Sequence, residues 1–330
     1  MSAHPGAHQE SSYAVEPIIK VRDIAWVRYR SPDLDTAEAF LTDFGLVRAE
    51  RTADRLYMRG ADAAHHVHIT ELGPPKVLSV GFYADSEADL ARLAATAAGA
   101  SGVEAINEPG GGRRVRLTEH NGYTVEVVHG VATVDPLPVE RANWNTGSKR
   151  ERFGDLTRVP VGPSRVKRIG HAVFSTPDIK ASVAWVRRHL GFVASDEVHV
   201  EDNRNELLAS FVRADRGKEY VDHHIMMFGR YPRAGLNHVS FEVYDVDDVW
   251  AGHEFLVNRG HRHCWGIGRH TLGSQIFDYW FDPWGRLHEH WTDSDLLNDD
   301  YQYRLVPRSQ GLRSQWGPQG PQEFRDTASE

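Results

Sequence analysis

The pattern of residues 24–47, IAWVRYRSPDLDTAEAFLTDFGLV, occurs again in residues 169–193, IGHAVFSTPDIKASVAWVRRHLGFV. Each stretch begins with an apolar-alternating strand, turns at a Pro-Asp pair and continues as a helix with a glycine at its end. The aspartate can cap the first turn of the helix, and the glycine can adopt the left-handed conformation that closes the last turn. The two stretches therefore predict a strand–helix unit that occurs twice in the chain.

The later parts of the two copies also match. Residues 77–90 (VLSVGFYADSEADL) correspond to residues 235–249 (GLNHVSFEVYDVDDV), and residues 121–130 (NGYTVEVVHG) correspond to residues 284–293 (WGRLHEHWTD). Each copy is thus strand–helix–strands followed by strand–helix–strands. A repeat of this kind predicts an α+β fold with two tandem modules.

The repeat gives the modules as residues 20–130 and 168–295, and three other segments remain. Residues 1–19 form a polar N-terminal arm, and residues 131–167, rich in proline, glycine and charge, are expected to be a linker. Residues 296–330 are polar and irregular. Two interpretations of this tail stay open: it is loosely ordered, or it packs over a domain or a partner subunit.

Composition excludes several classes of protein. The 330 residues are 40% hydrophobic and 25% charged, which excludes a disordered chain, a collagen and a disulfide scaffold. The net charge is −8, no basic tract favours nucleic acid, and no apolar run approaches the ~18–20 residues that span a bilayer. The N-terminus has no apolar signal core, and the single cysteine, Cys264, has neither a disulfide partner nor a partnered base. We therefore expect a cytoplasmic protein in which Cys264 is structural.

Histidine is the unusual residue, with 19 in the chain. His171, His238 and Glu289 fall on three separate predicted strands of the second module. If these strands adjoin in one sheet, the side chains can face one cavity, while His288 and His290 should alternate away from it. Two imidazoles and one carboxylate on one face form the facial triad of non-haem Fe(II) proteins, which leaves coordination positions open. The sequence therefore predicts a metal site in the second module.

The first module offers an internal comparison. The aligned copies put Trp26, Ser79 and Glu126 at the positions of the three candidate ligands. Because an indole and a hydroxyl replace the two imidazoles, the first module should bind no metal in this way. One module is therefore expected to be structural and the other chemical.

Further polar side chains accompany the candidate ligands. His224 precedes an apparent strand, IMMF, and His270 and Tyr279 lie on or beside another strand. A turn or bulge at residues 282–285 could set the phase of the strand that follows. These side chains could therefore join the same cavity.

The pattern IGHAVF…DHHIMMF…LNHVSFEV…GRHTLGSQIFDYWFDP…HEHW resembles the type I extradiol ring-cleavage dioxygenases of the vicinal oxygen chelate superfamily. The resemblance covers residues 20–295, and the polar residues fall in the order expected of that family. It implies that each module consists of paired βαβββ units that form an open mixed β-barrel. It also implies that the second barrel holds Fe(II), or alternatively Mn(II), through His171, His238 and Glu289, and that the first barrel is metal-free.

The resemblance assigns roles to three further residues. His224 matches a histidine that handles a proton and stabilises oxygen, His270 one that hydrogen-bonds a substrate oxygen, and Tyr279 a tyrosine that assists deprotonation or the later rearrangement. The role of His224 requires both charge states, so a pKa of about 7 is expected. At Leu272-Gly273 many members of the family have Asn-Asp, so the pocket or its surroundings should differ here.

The implied activity is extradiol (meta) cleavage of a small catecholic aromatic by O₂, with both oxygen atoms entering a muconic semialdehyde-type product. The resemblance also suggests a homo-oligomer. A glyoxalase-like lyase would take metal ligands from both modules, which Trp26 and Ser79 oppose, and a fosfomycin-type transferase has one module per chain. A metal-free or degenerate small-molecule-binding module of the same superfamily stays the alternative.

Overall fold

The computed structural model describes residues 16–140 and 143–329. Most of the expected N-terminal arm, residues 1–15, lies outside the described residues, as do residues 141–142 of the expected linker and Glu330. No helix within the described ranges is long and apolar enough to cross a membrane.

The first module consists of strands with a helix after the first strand of each half. Its elements are β1 (Ile24–Ser31), α1 (Leu34–Asp43), β2 (Val47–Arg51), β3 (Arg55–Arg59), β4 (His68–Leu72), β5 (Lys76–Tyr83), α2 (Glu87–Thr96), β6 (Glu104–Ala105), β7 (Arg113–Thr118) and β8 (Thr124–His129).

The second module repeats this succession and adds short elements after it. Its elements are β9 (Val166–Thr176), α3 (Ile179–Leu190), β10 (Phe192–Val200), β11 (Asn203–Ala214), β12 (Val221–Asp222), β13 (Met226–Arg230), β14 (Gly235–Val243), α4 (Val246–Asn258), β15 (His263–His270), β16 (Ile276–Phe281) and β17 (Leu287–Thr292). The tail contributes β18 (Leu296–Leu297), β19 (Arg304–Pro307), α5 (Arg308–Gly311), β20 (Ser314–Trp316) and α6 (Gln322–Asp326).

The two modules share one strand order. The first sheet runs β2-β3-β4-β1-β5-β8-β7-β6, and the second contains the matching order β10-β11-β13-β9-β14-β17-β16-β15. In each module two βαβββ units meet where their first strands pair antiparallel, β1 with β5 and β9 with β14. The pairs β1–β4 and β5–β8, like β9–β13 and β14–β17, are parallel, so both sheets are mixed. The predicted α+β fold with two tandem modules is confirmed.

The register of the ladders fixes which residues of the two modules are equivalent. The matching triples of paired residues are Trp26–Gly81–Glu126 and His171–Ser240–Glu289. Ser79 and His238 each lie two residues before the middle member, on the same face of its strand. The register therefore agrees with the alignment predicted from the sequence.

The helix ends follow the local sequence. Asp33 accepts hydrogen bonds from two backbone N–H groups of α1, and Asp178 accepts one from α3. Gly191, with φ +72°, closes α3 in the left-handed conformation that glycine adopts readily. The Pro-Asp turns thus start both helices and Gly191 ends α3 as predicted, whereas α1 ends one residue before Gly45, at Phe44 in the right-handed conformation.

The two modules pack together through α1 and the face of β17 that points away from Glu289. The ring of His290 stacks on Phe44 with centroids 3.7 Å apart, and its Nε2 donates to the Phe44 carbonyl at 2.6 Å. His288 stacks on His68 of the first module with centroids 5.6 Å apart. Both side chains alternate away from the Glu289 side of the strand, as predicted.

Acid should destabilise this interface. Burial lowers the pKa of His288 and of His290 to about 4. An unfolded histidine titrates at about 6.5, so between these values the unfolded chain binds more protons than the folded chain. The contribution to stability is therefore complete above about pH 6.5 and is lost as the pH falls towards 4, by up to ~3 kcal/mol for each histidine.

The check is the urea midpoint of unfolding measured at pH 7.5 and at pH 5. The parent chain should show a lower midpoint at pH 5, and His288→Phe, which keeps an aromatic ring against His68, should reduce the difference. An equal difference in both chains would contradict the role of His288.

The linker and tail contact the modules. Ser164 Oγ donates to the Asp248 carbonyl at 2.9 Å, and Arg165 pairs with the Asp248 carboxylate at 2.8 Å. In the tail, β19 and β20 extend the second sheet at its two edges. The tail therefore packs over the second module, whereas the exact limits of the modules stay a prediction.

Candidate metal centre

Three strands bring the candidate ligands together. His171 lies on β9, His238 on β14 and Glu289 on β17, which are neighbours in the second sheet. Ser240 pairs with both His171 and Glu289, so these two side chains and that of His238 share one face of the sheet. Each of the three is at most 4% exposed. The arrangement is a buried cluster drawn from residues that are between 51 and 118 positions apart in the sequence.

The donor atoms converge at distances suited to a metal ion. His171 Nε2 is 3.0 Å and His238 Nε2 is 3.4 Å from Glu289 Oε2. One ligand atom from each residue lies within 4.8 Å of the other two. Ligand atoms at about 2.0–2.2 Å from a divalent ion are separated by distances of this size.

The hydrogen bonding of the cluster is incomplete without an ion. Among the described residues, His238 Nε2 and both carboxylate oxygens of Glu289 are buried with no hydrogen-bond partner. A buried charge of this kind is normally paired or bound to a metal. The donor set therefore fits a divalent cation.

Electrostatics keep the cluster in the protonation state of a metal site. Burial alone would raise the pKa of Glu289, but the nearby imidazoles of His171 and His238 hold it well below its ordinary value. Burial lowers the pKa of His171, despite the adjacent carboxylate. An ionised carboxylate with a neutral imidazole is the form that coordinates metals.

The equivalent point of the first module is filled. The indole Nε1 of Trp26 donates to Glu126 Oε2 at 3.1 Å. A Cβ atom at Gly81 would lie 2.9 Å from that Nε1, so only glycine leaves room for the indole. Arg28, itself buried, also lies 3.6 Å from Glu126 Oε1. An indole and an arginine thus take the space and the charge pairing that imidazoles and an ion would have.

His224 lies beside the cluster and begins a polar chain. Its ring centroid is 4.3 Å from that of His171. Its Nδ1 is 3.0 Å from Nδ1 of His223, whose Nε2 is 2.8 Å from Asp196 Oδ2. Arg304 of the tail donates to both oxygens of Asp196, at 2.8 Å each. The chain connects the cluster to β19.

The pKa expected for His224 is wrong in this structure. Burial, followed by the proximity of His171 and His223, lowers the pKa of His224 well below 6.5 rather than leaving it at about 7. Burial would also raise the pKa of Asp196, but hydrogen bonds from His223 and Arg304 lower it to about 2. His224 is therefore a neutral base next to a chain that ends in a fixed carboxylate.

Tyr279 and His270 lie on the other side of the cluster. Tyr279 pairs directly with Glu289 across the β16–β17 ladder, which has no bulge. The turn at residues 282–285 therefore sets, without a bulge, which face of β17 carries Glu289. The Tyr279 hydroxyl is 2.9 Å from His270 Nε2, and that nitrogen is 3.6 Å from Glu289 Oε1. Burial, with the charge of Glu289, raises the pKa of Tyr279 well above 10, so its phenol keeps its proton.

Asn237 completes the cluster and was not identified from the sequence. Its Oδ1 accepts from His238 Nδ1 at 2.7 Å, which leaves Nε2 of that ring free to face the cluster. Its Nδ2 donates to the carbonyls of Phe324 and Thr327 at 2.9 and 3.0 Å. One side chain therefore links a candidate ligand to the tail.

The tail also covers the cluster. The ring of Phe324, on α6, lies 4.8 Å from Tyr279, 4.7 Å from Trp265 and 5.7 Å from His238, measured between centroids. These rings form an apolar wall next to the polar donors. The tail is thus part of the pocket.

Asn237→Ala should weaken metal binding by ~10–100-fold, because it removes the partner that orients His238. It should also loosen the tail, since two hydrogen bonds to tail carbonyls are lost. Chelator competition measures the first effect, and tryptic cleavage at Arg325 measures the second. Asn298→Ala, at an equally buried asparagine (7% exposed) that donates to Lys218 and Asp300, should change neither. Parent-like metal retention in Asn237→Ala would contradict the orienting role.

Two other predicted features are local. Burial raises the pKa of the Cys264 thiol to about 12, so it is not a thiolate nucleophile at neutral pH. Leu272 is buried in an apolar cluster with Phe211. A Cβ atom at Gly273 would lie 3.1 Å from His223 Nδ1, so this glycine allows His223 to lie close against the turn.

Known proteins are similar to this chain in sequence and in fold. Residues 168–289 match the model of the Glyoxalase/Bleomycin resistance protein/Dioxygenase superfamily. The chain is 29% identical over 314 residues to metapyrocatechase 2 of Cupriavidus necator. The alignment covers 94% of this chain and 93% of the relative.

Solved structures extend the comparison. The Mn(II)-bound glyoxalase from Novosphingobium aromaticivorans matches with a TM-score of 0.76 and 26% identity, over 94% of this chain and 96% of that chain. The complex of homoprotocatechuate 2,3-dioxygenase from Brevibacterium fuscum with 3,4-dihydroxyphenylacetate matches with a TM-score of 0.80 and 18% identity. The match covers 96% of this chain and 95% of that chain. At 18% identity the likeness concerns the fold alone.

The fold and the site define a duplicated α+β protein with a candidate metal centre in its second module. Residues 168–289, within the second module, carry the sequence pattern of the Glyoxalase/Bleomycin resistance protein/Dioxygenase superfamily. The family resemblance seen in the sequence is thereby confirmed.

Proposed function

We propose that the chain is an extradiol dioxygenase that opens the ring of a small catecholic aromatic with O₂ at one metal ion. The observation that carries the proposal is the buried His171–His238–Glu289 cluster with its unpartnered donor atoms. The similarity to metapyrocatechase 2 over 94% of this chain supports the catecholic substrate. Fe(II) is the proposed metal, with Mn(II) as the alternative, because N and O donors of this kind suit either ion.

His171, His238 and Glu289 would hold the ion. Fe(II) bound there would supply open coordination positions and the redox capacity that the reaction with O₂ needs. Glu289 brings one negative charge, and the imidazoles of His171 and His238 bring none when neutral. A catechol that loses protons on binding can therefore supply the remaining charge.

Neutral His224 is the proposed base. It lies beside His171, its buried ring is uncharged, and its other neighbour, His223, is tied to Asp196. It can accept a proton from the bound catechol and return it when the ring opens.

Tyr279 and His270 are proposed to hold the substrate's other oxygen. The protonated phenol of Tyr279 can donate to that oxygen. His270 Nε2 lies 2.9 Å from the Tyr279 hydroxyl and can exchange a proton with that hydroxyl. The side chain of His270 is 22% exposed, so it can pass the proton to solvent. The apolar rings of Trp265 and Phe324 exclude water from the same side.

The balanced reaction adds both atoms of O₂ to the catechol and breaks the ring bond next to the diol. The product is a muconic semialdehyde-type oxo acid, which is yellow. The aromatic cluster of Trp265, Phe277, Tyr279 and Phe281 supports a flat aromatic substrate. The cytoplasmic location and the homo-oligomeric state stay predictions.

The test is anaerobic reconstitution with Fe(II), and separately with Mn(II), followed by 3-substituted catechols and air. A yellow product with one O₂ consumed per catechol supports the proposal and ranks the two metals. A bound ion without colour or oxygen uptake would point to a different metal reaction, such as that of a lyase. No bound ion would favour the metal-free binding module.

A further inference from the structure

A second group of metal-binding side chains lies on the opposite face of β16. Asp278 precedes Tyr279 in that strand, so its side chain points away from the candidate metal centre. It is completely buried and faces His253 of α4 and His263 of β15. The mechanism proposed above uses none of these three residues.

The donor atoms are close together. His253 Nδ1 is 3.0 Å from Asp278 Oδ2, and His263 Nε2 is 2.8 Å from Asp278 Oδ1. The two imidazole centroids are 4.9 Å apart, and one ligand atom from each residue lies within 4.8 Å of the others. These separations are those of ligands around one divalent ion.

The carboxylate is held in place by its surroundings. Trp280 Nε1 donates to Asp278 Oδ2 at 2.6 Å. A Cβ atom at Gly266 would lie 2.5 Å from Asp278 Oδ1, so the absence of a side chain there makes room for the carboxylate. The acidic ligand is thus oriented by the protein.

The imidazoles leave an entry path. The side chains of His253 and His263 are 21% and 30% exposed, while that of Asp278 is fully buried. An ion can therefore approach from solvent across the two rings. In the part of the chain that the structure describes, the ion pairs of Asp278 within 4 Å are those with the two imidazoles, and neither lysine nor arginine neutralises it.

We propose that His253, His263 and Asp278 bind a second divalent transition-metal ion of the Zn(II) class, with water in the remaining position. Two imidazole nitrogens and a carboxylate oxygen are common zinc ligands. A buried carboxylate that lacks a fixed cation is the group such an ion neutralises. The site links α4 to β15 and β16, the strands that carry His270 and Tyr279. A bound ion therefore stabilises these strands from the face of the sheet opposite the candidate active site.

Co(II) and Zn(II) titrations of the full chain test the proposal without using activity. The parent should bind two equivalents, and the double variant His253→Gln/His263→Gln should bind one. Glu289→Gln, which removes one ligand of the first centre, should also bind one. The triple variant His253→Gln/His263→Gln/Glu289→Gln should bind none. The visible Co(II) spectrum that Glu289→Gln shows should therefore be absent from the triple variant.

A matched control separates this site from ordinary surface histidines. His261 Nε2 is 2.9 Å from Asp43 Oδ2, and among the described residues Asp43 is its single carboxylate partner. His261→Gln should keep both equivalents. The proposal is overturned if Glu289→Gln binds no ion, or if its bound ion survives His253→Gln/His263→Gln. If instead Glu289→Gln binds as many equivalents as the parent, the first centre is wrong and the second stands.

Thermal melting gives an independent measurement. Zn(II) added to Glu289→Gln should raise the melting temperature, because an ion that binds the folded chain shifts the equilibrium towards it. The same addition to the triple variant should have no effect. An equal rise in both chains would overturn the proposal, since the ion would then act elsewhere.

Discussion

Glu289→Gln is expected to remove one bound equivalent of Fe(II) and to lower catechol-dependent oxygen uptake by more than about 100-fold, because even indirect partners of a metal ligand change affinity by ~10–100-fold. The substitution keeps the size of the side chain but removes the only carboxylate of the His171–His238–Glu289 cluster. A neutral amide cannot balance the charge of the ion. Metal analysis after gel filtration and an oxygen electrode measure the two effects.

The first module supplies the matched control. Glu126 occupies the equivalent position and is equally buried, but the Trp26 indole donates to it. Glu126→Gln keeps an oxygen that can accept this hydrogen bond, so it should retain the metal and the activity. If Glu126→Gln loses metal as Glu289→Gln does, the loss reflects a general change in folding. If Glu289→Gln keeps full activity, the assignment of the ligands is wrong.

The repeat explains why the cluster could be predicted from the sequence. Side chains in a strand alternate between two faces, so a slip of one residue would turn Glu289 to the module interface, where His288 and His290 lie. The two copies keep the same register, and the differences at Trp26 and Ser79 therefore mark the positions of the candidate ligands. Alignment of a chain with itself thus gave candidate ligands that no local motif contains.

Other parts of the site carry no such signal. Asn237 reaches the tail through the backbone carbonyls of Phe324 and Thr327, and any residue type has a carbonyl. The tail also lacks the periodic apolar pattern that predicts an element. The contact of the tail with the cluster depends on tertiary packing, so no local sequence pattern predicts it.

The pKa of His224 illustrates the same limit. A histidine at the surface would titrate at about 6.5, and the resemblance favours a value that allows both charge states. The actual direction is set by burial beside His171 and His223. Burial depth is a property of the folded module, so the sequence predicted the residue but not its charge.

His224→Phe should retain one Fe(II) equivalent at the first centre and lose ~10²–10⁴-fold in turnover, the range of a positioned general base. His224 is not among the three clustered ligands, and a phenyl ring can fill its place against His171. The expected result is therefore a loss of turnover without a loss of bound Fe(II). Metal analysis and single-turnover product formation under air measure it.

His66→Phe is the control, because the first module repeats the local arrangement. His66 precedes β4 as His224 precedes β13, and its Nδ1 is 3.0 Å from that of His65, as His224 Nδ1 is from that of His223. The two rings are 3% and 4% exposed. Equal burial means that both substitutions disturb packing to a similar extent, so only a catalytic role makes His224→Phe inactive while His66→Phe keeps turning over. Equal activity of the two variants would remove His224 from the mechanism and leave proton transfer to His270 and Tyr279.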